Sequence, residues 1–149
     1  VERAKEIRQH DLLDGVPDLR KRWSDVRMVY LDPPYWKQAE GQYSTDSNDL
    51  ANMDLETFNK SLAGIVHGFS KKMTSGFIAL VIQPTQWKAP DRVCVDHIAD
   101  LLKAIKLPID MRYSVPYESQ QCNAQMVEWA KEQKRCLVLT REIIVWKVS

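Results

Sequence analysis

The sequence predicts an α/β fold, a sheet with helices on its faces. Two apolar runs of strand length, Val26–Leu31 and Phe77–Ile82, are separated by a helical stripe. That stripe is Leu55, Phe58, Leu62, Ile65, Val66 and Phe69, the i, i+3, i+4, i+7 spacing of one buried helix face. The chain closes in Leu137–Leu139 and Ile143–Val148 around Thr140-Arg141, read as two short strands in a tight connection. So close a pair implies one antiparallel strand near the C-terminus of an otherwise mostly parallel sheet.

Each element follows from local signals. Glu6 to Gln9 reads as a short strand, and Leu12 to Trp23 as a helix that Pro17 begins or interrupts. Val26–Leu31 reads as a buried central strand, ended by the double proline at 33 and 34. Trp36 to Asn52 is polar, rich in Ser, Asp, Asn and Gln, and forms a long loop, the kind of segment that carries function. Asn52 or Asp54 caps the helix that follows, which Ser75-Gly76 stops. Pro90-Asp91 opens a further helix carrying Val93, Ile98, Leu101, Leu102 and Ile105 and ending before Pro108. A strand from Ile109 to Val115 comes next, and Glu118 to Lys134 is a loop and then a helix.

Size and composition set the class. The 149 residues form one α/β domain with enough chain for a real core. Hydrophobic residues make up 44% and charged residues 28%, and no apolar run approaches the ~20 residues of a membrane span. The charged, non-apolar N-terminus lacks the pattern of a signal peptide, which points to the cytoplasm. A formal net charge of +1 excludes a strongly basic nucleic-acid binder, and the clusters at Arg20–Arg22, Lys71-Lys72 and Lys131–Arg135 read as solvated helix faces. Cys94, Cys122 and Cys136 are distant and odd in number, and the three histidines are scattered, so neither a zinc site nor a disulfide is expected.

Chemistry gathers at Asp32-Pro33-Pro34-Tyr35. Ligands of open α/β sheets sit beyond the carboxyl ends of the strands, where these residues fall. A carboxylate accepts from an exocyclic amine, and a proline carbonyl is a second acceptor with no N–H of its own to compete. The next aromatic ring offers a face for a base. Two acceptors and a platform suit a planar ring bearing an amino group. Its lone pair is delocalised, and acceptors on both hydrogens favour the pyramidal nitrogen of the transition state. The bland alternative is a strand-ending turn. The tetrapeptide arises by chance in about one chain per thousand of this length.

Asp32-Pro33-Pro34-Tyr35 resembles the catalytic signature of the S-adenosylmethionine-dependent amino methyltransferases that modify adenine N6 or cytosine N4. Ile7–Leu13 is similar to that family's G-D-x-L segment, with His10 in place of glycine. Gly76–Ile82 and Arg141–Lys147 resemble its next core strand and its closing strand. The resemblance implies a Rossmann-like methyltransferase sheet and S-adenosylmethionine as cofactor. It further implies catalysis by Asp32, Pro33, Pro34 and Tyr35, with Asp11 and Asp32 toward the cofactor. Asp11 has a second reading as the cap of the segment beginning at Leu12. Tyr35, Trp36 and Tyr43 are substrate-side candidates: Trp36 lines the base pocket or covers the sheet edge, and Tyr43 closes over a flipped base or is simply a loop aromatic. Trp87, Trp129 and Trp146 are assigned to packing.

One departure is plain. The family carries a glycine-rich turn for the methionine end of its cofactor. The five glycines here, at 15, 41, 64, 68 and 76, cannot form it. The expectation is an incomplete sheet whose other half lies after Ser149 or ahead of Val1, or comes from a second chain. Without that half, the strand Val26–Leu31 keeps an open edge. The expected partner is DNA with a flipped base, adenine rather than cytosine because Asp opens the tetrapeptide. An RNA methyltransferase and a non-catalytic partner subunit are the alternatives.

Overall fold

The computed structural model describes residues 9–18, 23–86, 91, 93–116 and 123–149. It is a mixed α/β structure around a four-stranded sheet. In chain order the elements are β1 (Met28–Leu31), α1 (Leu55–Lys72), β2 (Gly76–Ile82), α2 (Ile98–Ile105), β3 (Ile109–Pro116), α3 (Ala124–Glu132) and β4 (Thr140–Val148). Strand order across the sheet is β1-β2-β4-β3. β1 and β2 are parallel, with Met28 opposite Phe77 and Leu31 opposite Leu80. β4 is antiparallel to β2 and to β3. Three strands therefore point one way and β4 alone is reversed between two of them.

β2 and β4 are the interior strands, and Ile78 through Ile82 are all buried, whereas β1, expected as the buried central strand, is an edge of the described sheet with only Leu31 buried. Ile78, Leu80 and Ile82 pair with Trp146, Ile144 and Glu142 of β4, so these residues share one sheet face. Helices α1 and α2 cover that face. Phe58, Leu62, Ile65, Val66 and Phe69 of α1 are buried, as the sequence periodicity requires, and Ile98, Leu101 and Ile105 of α2 join the same core. Burying each such side chain contributes roughly 1.5–3 kcal/mol. Asp54 caps α1, accepting from the Thr57 N–H (3.0 Å) and the Thr57 hydroxyl (2.6 Å). The hydroxyl contact is the larger cause that holds the Asp54 carboxyl below its ordinary range.

Gly68 explains itself by packing. A Cβ there would lie 2.7 Å from Cγ2 of Val16, so the bare helix surface seats the segment that precedes β1. Gly76 is under a stricter constraint. It has φ +130°, and an added Cβ would sit 2.3 Å from the Arg27 carbonyl oxygen, which accepts from Phe77 N at 3.0 Å. Only glycine lets β1 and β2 begin so close together.

Several expectations are corrected. Of the helix expected from Leu12 to Trp23, residues 19–22 lie outside the described residues, and the described part holds two short 3₁₀ turns, Leu12–Asp14 and Trp23–Asp25. Gly15, at φ +114°, ends the first before Pro17 is reached. The helix expected from Pro90-Asp91 starts only at Ile98. Thr85 and Val95 exchange backbone hydrogen bonds of 3.1 and 2.8 Å, which holds Val95 in a β-bridge, and Val93 is exposed. Leu137–Leu139 is not a strand, and β4 is one strand of nine residues. The buried Gln86 amide has taken the backbone there, donating to Cys136 O (2.8 Å) and accepting from Val138 N (2.9 Å). Most of the strand proposed at Glu6 to Gln9, the helix start at Pro90, and Trp87 lie outside the described residues. Trp146 is fully buried, in keeping with a packing role.

Replacing Gly76 with alanine is expected to destabilise the fold by about 2–4 kcal/mol, read from a shift of the urea midpoint at unchanged slope. An unshifted midpoint would refute the steric account of this position.

Candidate functional site

β1 ends at Leu31, and the chain turns out of the sheet through Asp32-Pro33-Pro34. A cavity of about 790 Å³ opens there. Asp32, Pro33 and Pro34 border it, together with Asp11 and Tyr43. Residues far apart in sequence thus meet at the carboxyl end of a parallel strand. Tyr35 and Trp36 do not line this cavity.

Asp11 caps a short turn and also faces the cavity. Its Oδ1 accepts from Leu13 N at 2.9 Å, capping the 3₁₀ turn, and the same residue borders the cavity. Next to it, His10 Nε2 donates to the Gly15 carbonyl (2.7 Å).

The loop after Trp36 is built rather than loose. Asn52 donates to the carbonyls of Ser44 (3.0 Å) and Asp46 (2.7 Å) and accepts from Gly41 N (3.0 Å). Asp49 accepts from the Ser44 hydroxyl (3.1 Å) and from Ala51 N (3.0 Å). The loop thereby presents Tyr43, Ser44, Asp46 and Asp49 as a cavity wall, with Tyr43 72% exposed. Among the described residues, Asp11, Asp32, Asp46 and Asp49 make four carboxylates in the lining, against no lysine or arginine. Such a cavity favours a cationic or amine-bearing ligand and repels phosphate.

Tyr35 and Trp36 fix the chain that leaves the site. The Tyr35 hydroxyl donates to Asp32 Oδ1 (3.0 Å), and the Arg141 guanidinium lies over its ring, 5.7 Å from the centroid. Trp36 donates from Nε1 to Met53 O (3.0 Å), and its carbonyl accepts from the Thr85 hydroxyl (2.6 Å). Gln83 donates to Gln38 from the end of β2. His97, 1% exposed, packs edge-on against Trp36 and Phe58 and donates from Nδ1 to Asn59 Oδ1 (3.1 Å). Burial lowers the His97 pKa from its ordinary value near 6.5, outweighing Asp96, the Gln83 backbone and Asp100, which raise it. Cys94 and Cys136 are free thiols, and burial, with Asp96 second, pushes the Cys94 thiol up; Cys122 lies outside the described residues.

Sequence reasoning missed Asp46, Asp49, Asn52 and Arg141. The crowding of Ser, Asp and Asn between 44 and 52 was the available signal, because these side chains bond nearby backbone and order loops. Nothing local marks Arg141. Among the described residues no group of three or more His, Cys, Asp or Glu could hold a metal ion.

Compared with known proteins, the chain matches no family model, no curated protein and no solved structure. The fold and the site together define a mixed α/β domain with an acidic cavity at the carboxyl end of a parallel strand.

Asn52→Ala should raise hydrogen exchange across residues 41–49 while α1 keeps its protection; unchanged loop exchange would show that the three Asn52 bonds do not order it. His97 gives a pH dependence with a defined sign. The unfolded chain takes up a proton near pH 6.5 while the folded ring stays neutral to lower pH, so stability falls as pH drops through that window. Below the lowered folded value the loss levels off. His97→Gln should show a smaller drop in urea midpoint between pH 7.5 and 5 than the parent, and an equal drop would exclude His97 as the source.

Proposed function

We propose that the chain carries the base-activating part of an S-adenosylmethionine-dependent methyltransferase acting on the exocyclic amine of a nucleic-acid base, adenine N6 in DNA first. The observation that carries this reading is the meeting of Asp32-Pro33-Pro34 with Asp11 on one cavity at the carboxyl end of β1. Of the three strand pairings, β1 with β2 is parallel and the two made by β4 are antiparallel, so the mostly parallel sheet that the resemblance implies is met in the β1–β2 pair and in the reversed strand near the C-terminus, and not in the pairings as a whole. The resemblance would place the protein in the cytoplasm. Among the described residues no helix is long and apolar enough to cross a membrane.

The chemistry assigned to these residues is binding and orientation. Asp32 and a proline carbonyl hold the two amine hydrogens, which concentrates the lone pair on nitrogen as attack begins. The base reaches them only after leaving its stack, and the acidic wall keeps phosphates outside while admitting the amine. When bound, S-adenosylmethionine supplies an electrophilic methyl group; Asp11 and Asp32 are the residues that would hold its cationic and hydroxyl-bearing parts. The four carboxylates suit a sulfonium ligand.

No glycine-rich turn is available for its methionine end among the described residues. Gly64 and Gly68 lie within α1 and Gly76 opens β2. β1 is also an edge of the described sheet, with Met28 and Tyr30 58% and 59% exposed. Both features support a site completed by a further segment or a second chain pairing with β1. The same glycine pattern favours, as the second reading, a non-catalytic subunit that supports an active partner.

N6-methyladenine in plasmid DNA from cells expressing the full-length gene tests the proposal. Asp32→Ala should lower methylation at least 100-fold with the circular dichroism spectrum unchanged. Unmethylated DNA from cells holding abundant folded protein sinks the enzyme reading. Methylation that survives Asp32→Ala assigns the chain to the supporting role.

A further inference from the structure

We propose that Arg141 is a positioning residue for Asp32, acting through the ring of Tyr35. The inference rests on the methyltransferase reading for its consequence, though the physical link stands on geometry alone. Asp32 is exposed and leaves the sheet on a turn, so its backbone alone does not fix the carboxylate rotamer. The Tyr35 hydroxyl holds Oδ1 at 3.0 Å, and this bond is only as fixed as the Tyr35 ring. Partly buried, the ring packs against the core and carries the Arg141 guanidinium 5.7 Å from its centroid. A cation so placed contributes about 0.5–2 kcal/mol, enough to select one ring orientation over another.

Arg141 is itself well anchored. It is the second residue of β4 and pairs with Val115 of β3. The adjacent Glu142, 7% exposed, accepts from Arg112 Nε (2.9 Å) and from the Ser114 hydroxyl (2.8 Å). Upstream, the buried Gln86 fixes Cys136 and Val138. The start of one strand thus orients a side chain in the turn that leaves another. With Oδ1 engaged, Oδ2 of Asp32 is the oxygen that retains its full accepting capacity for the substrate amine. This assignment gives Tyr35 a positioning task, distinct from the stacking face that the sequence suggested.

The test uses the full chain with Arg141→Met, Tyr35→Phe and the double variant. Each single change is expected to lower kcat for DNA methylation about tenfold with KM within about twofold, as misplacement of a reacting group does. The double variant should match the singles, because all three break one link. The carbon-13 resonance of the Asp32 carboxyl reports the link without activity: it should move in Arg141→Met to the position it takes in Tyr35→Phe. A wild-type resonance in Arg141→Met, or losses in kcat that multiply in the double variant, would overturn the assignment. Should Arg141→Met fail to fold, Arg141→Lys replaces it, expected to move the resonance part of the way, and an unmoved resonance overturns the assignment equally. If the parent protein does not methylate DNA but the resonance moves as stated, the methyltransferase reading fails and the positioning link stands.

Discussion

The burial of β2 between two partner strands is the constraint on which the remaining structure depends. Its residues Ile78 to Ile82 are closed off from water, so every backbone N–H and C=O there must pair within the protein. β1 satisfies one side in parallel register and β4 the other in antiparallel register over seven residues, Gly76 to Ile82. A one-residue slip in either would turn the core-facing Ile78, Leu80 and Ile82 away from α1 and α2. Gly76 fixes where the parallel pair begins, because only a missing Cβ allows the Arg27 carbonyl so near.

From the far end of β2 the same constraint reaches the site. Gln83, Thr85 and Gln86 are buried polar residues, and a buried polar group must find a partner. Gln83 meets Gln38, Thr85 meets the Trp36 carbonyl, and Gln86 meets the backbone at Cys136 and Val138. These bonds tie the chain leaving β1 and the chain entering β4 to a single strand end. Both strand ends meet at Tyr35, whose hydroxyl reaches Asp32 and whose ring carries Arg141. The acidic character of the cavity has a separate origin, the loop that Asn52 braces from within.

Much of this was legible in the residues. The stripe on α1, the apolar runs of β1 and β2, the Asp54 cap and the placement of Asp32-Pro33-Pro34 at a strand end follow from periodicity and from the φ restriction of proline. The helix expected at Leu12 stops after one turn because Gly15, at φ +114°, leaves the helical region before Pro17 is reached. Leu137–Leu139 looked like a strand because its composition is apolar and β-branched. Its backbone was claimed instead by a glutamine fifty positions earlier, which no local pattern can announce. Tyr35 followed the same rule: its place beside the prolines was evident, but the guanidinium over its ring came from a strand at the other end of the chain.

The sequence by itself determined the α/β class, the place of Asp32-Pro33-Pro34 at the end of a strand, and the lack of a glycine-rich turn. These depend on short-range rules: side-chain period, proline geometry and capping. Tertiary structure alone decided that β4 inserts in reverse between β2 and β3, that Asp11, Asp32, Asp46 and Asp49 share one cavity, and that Arg141 stands over Tyr35. Each of those facts joins residues distant along the chain. Their contact is set by which arrangement buries the apolar faces and satisfies the backbone at once, a global balance that local sequence does not encode.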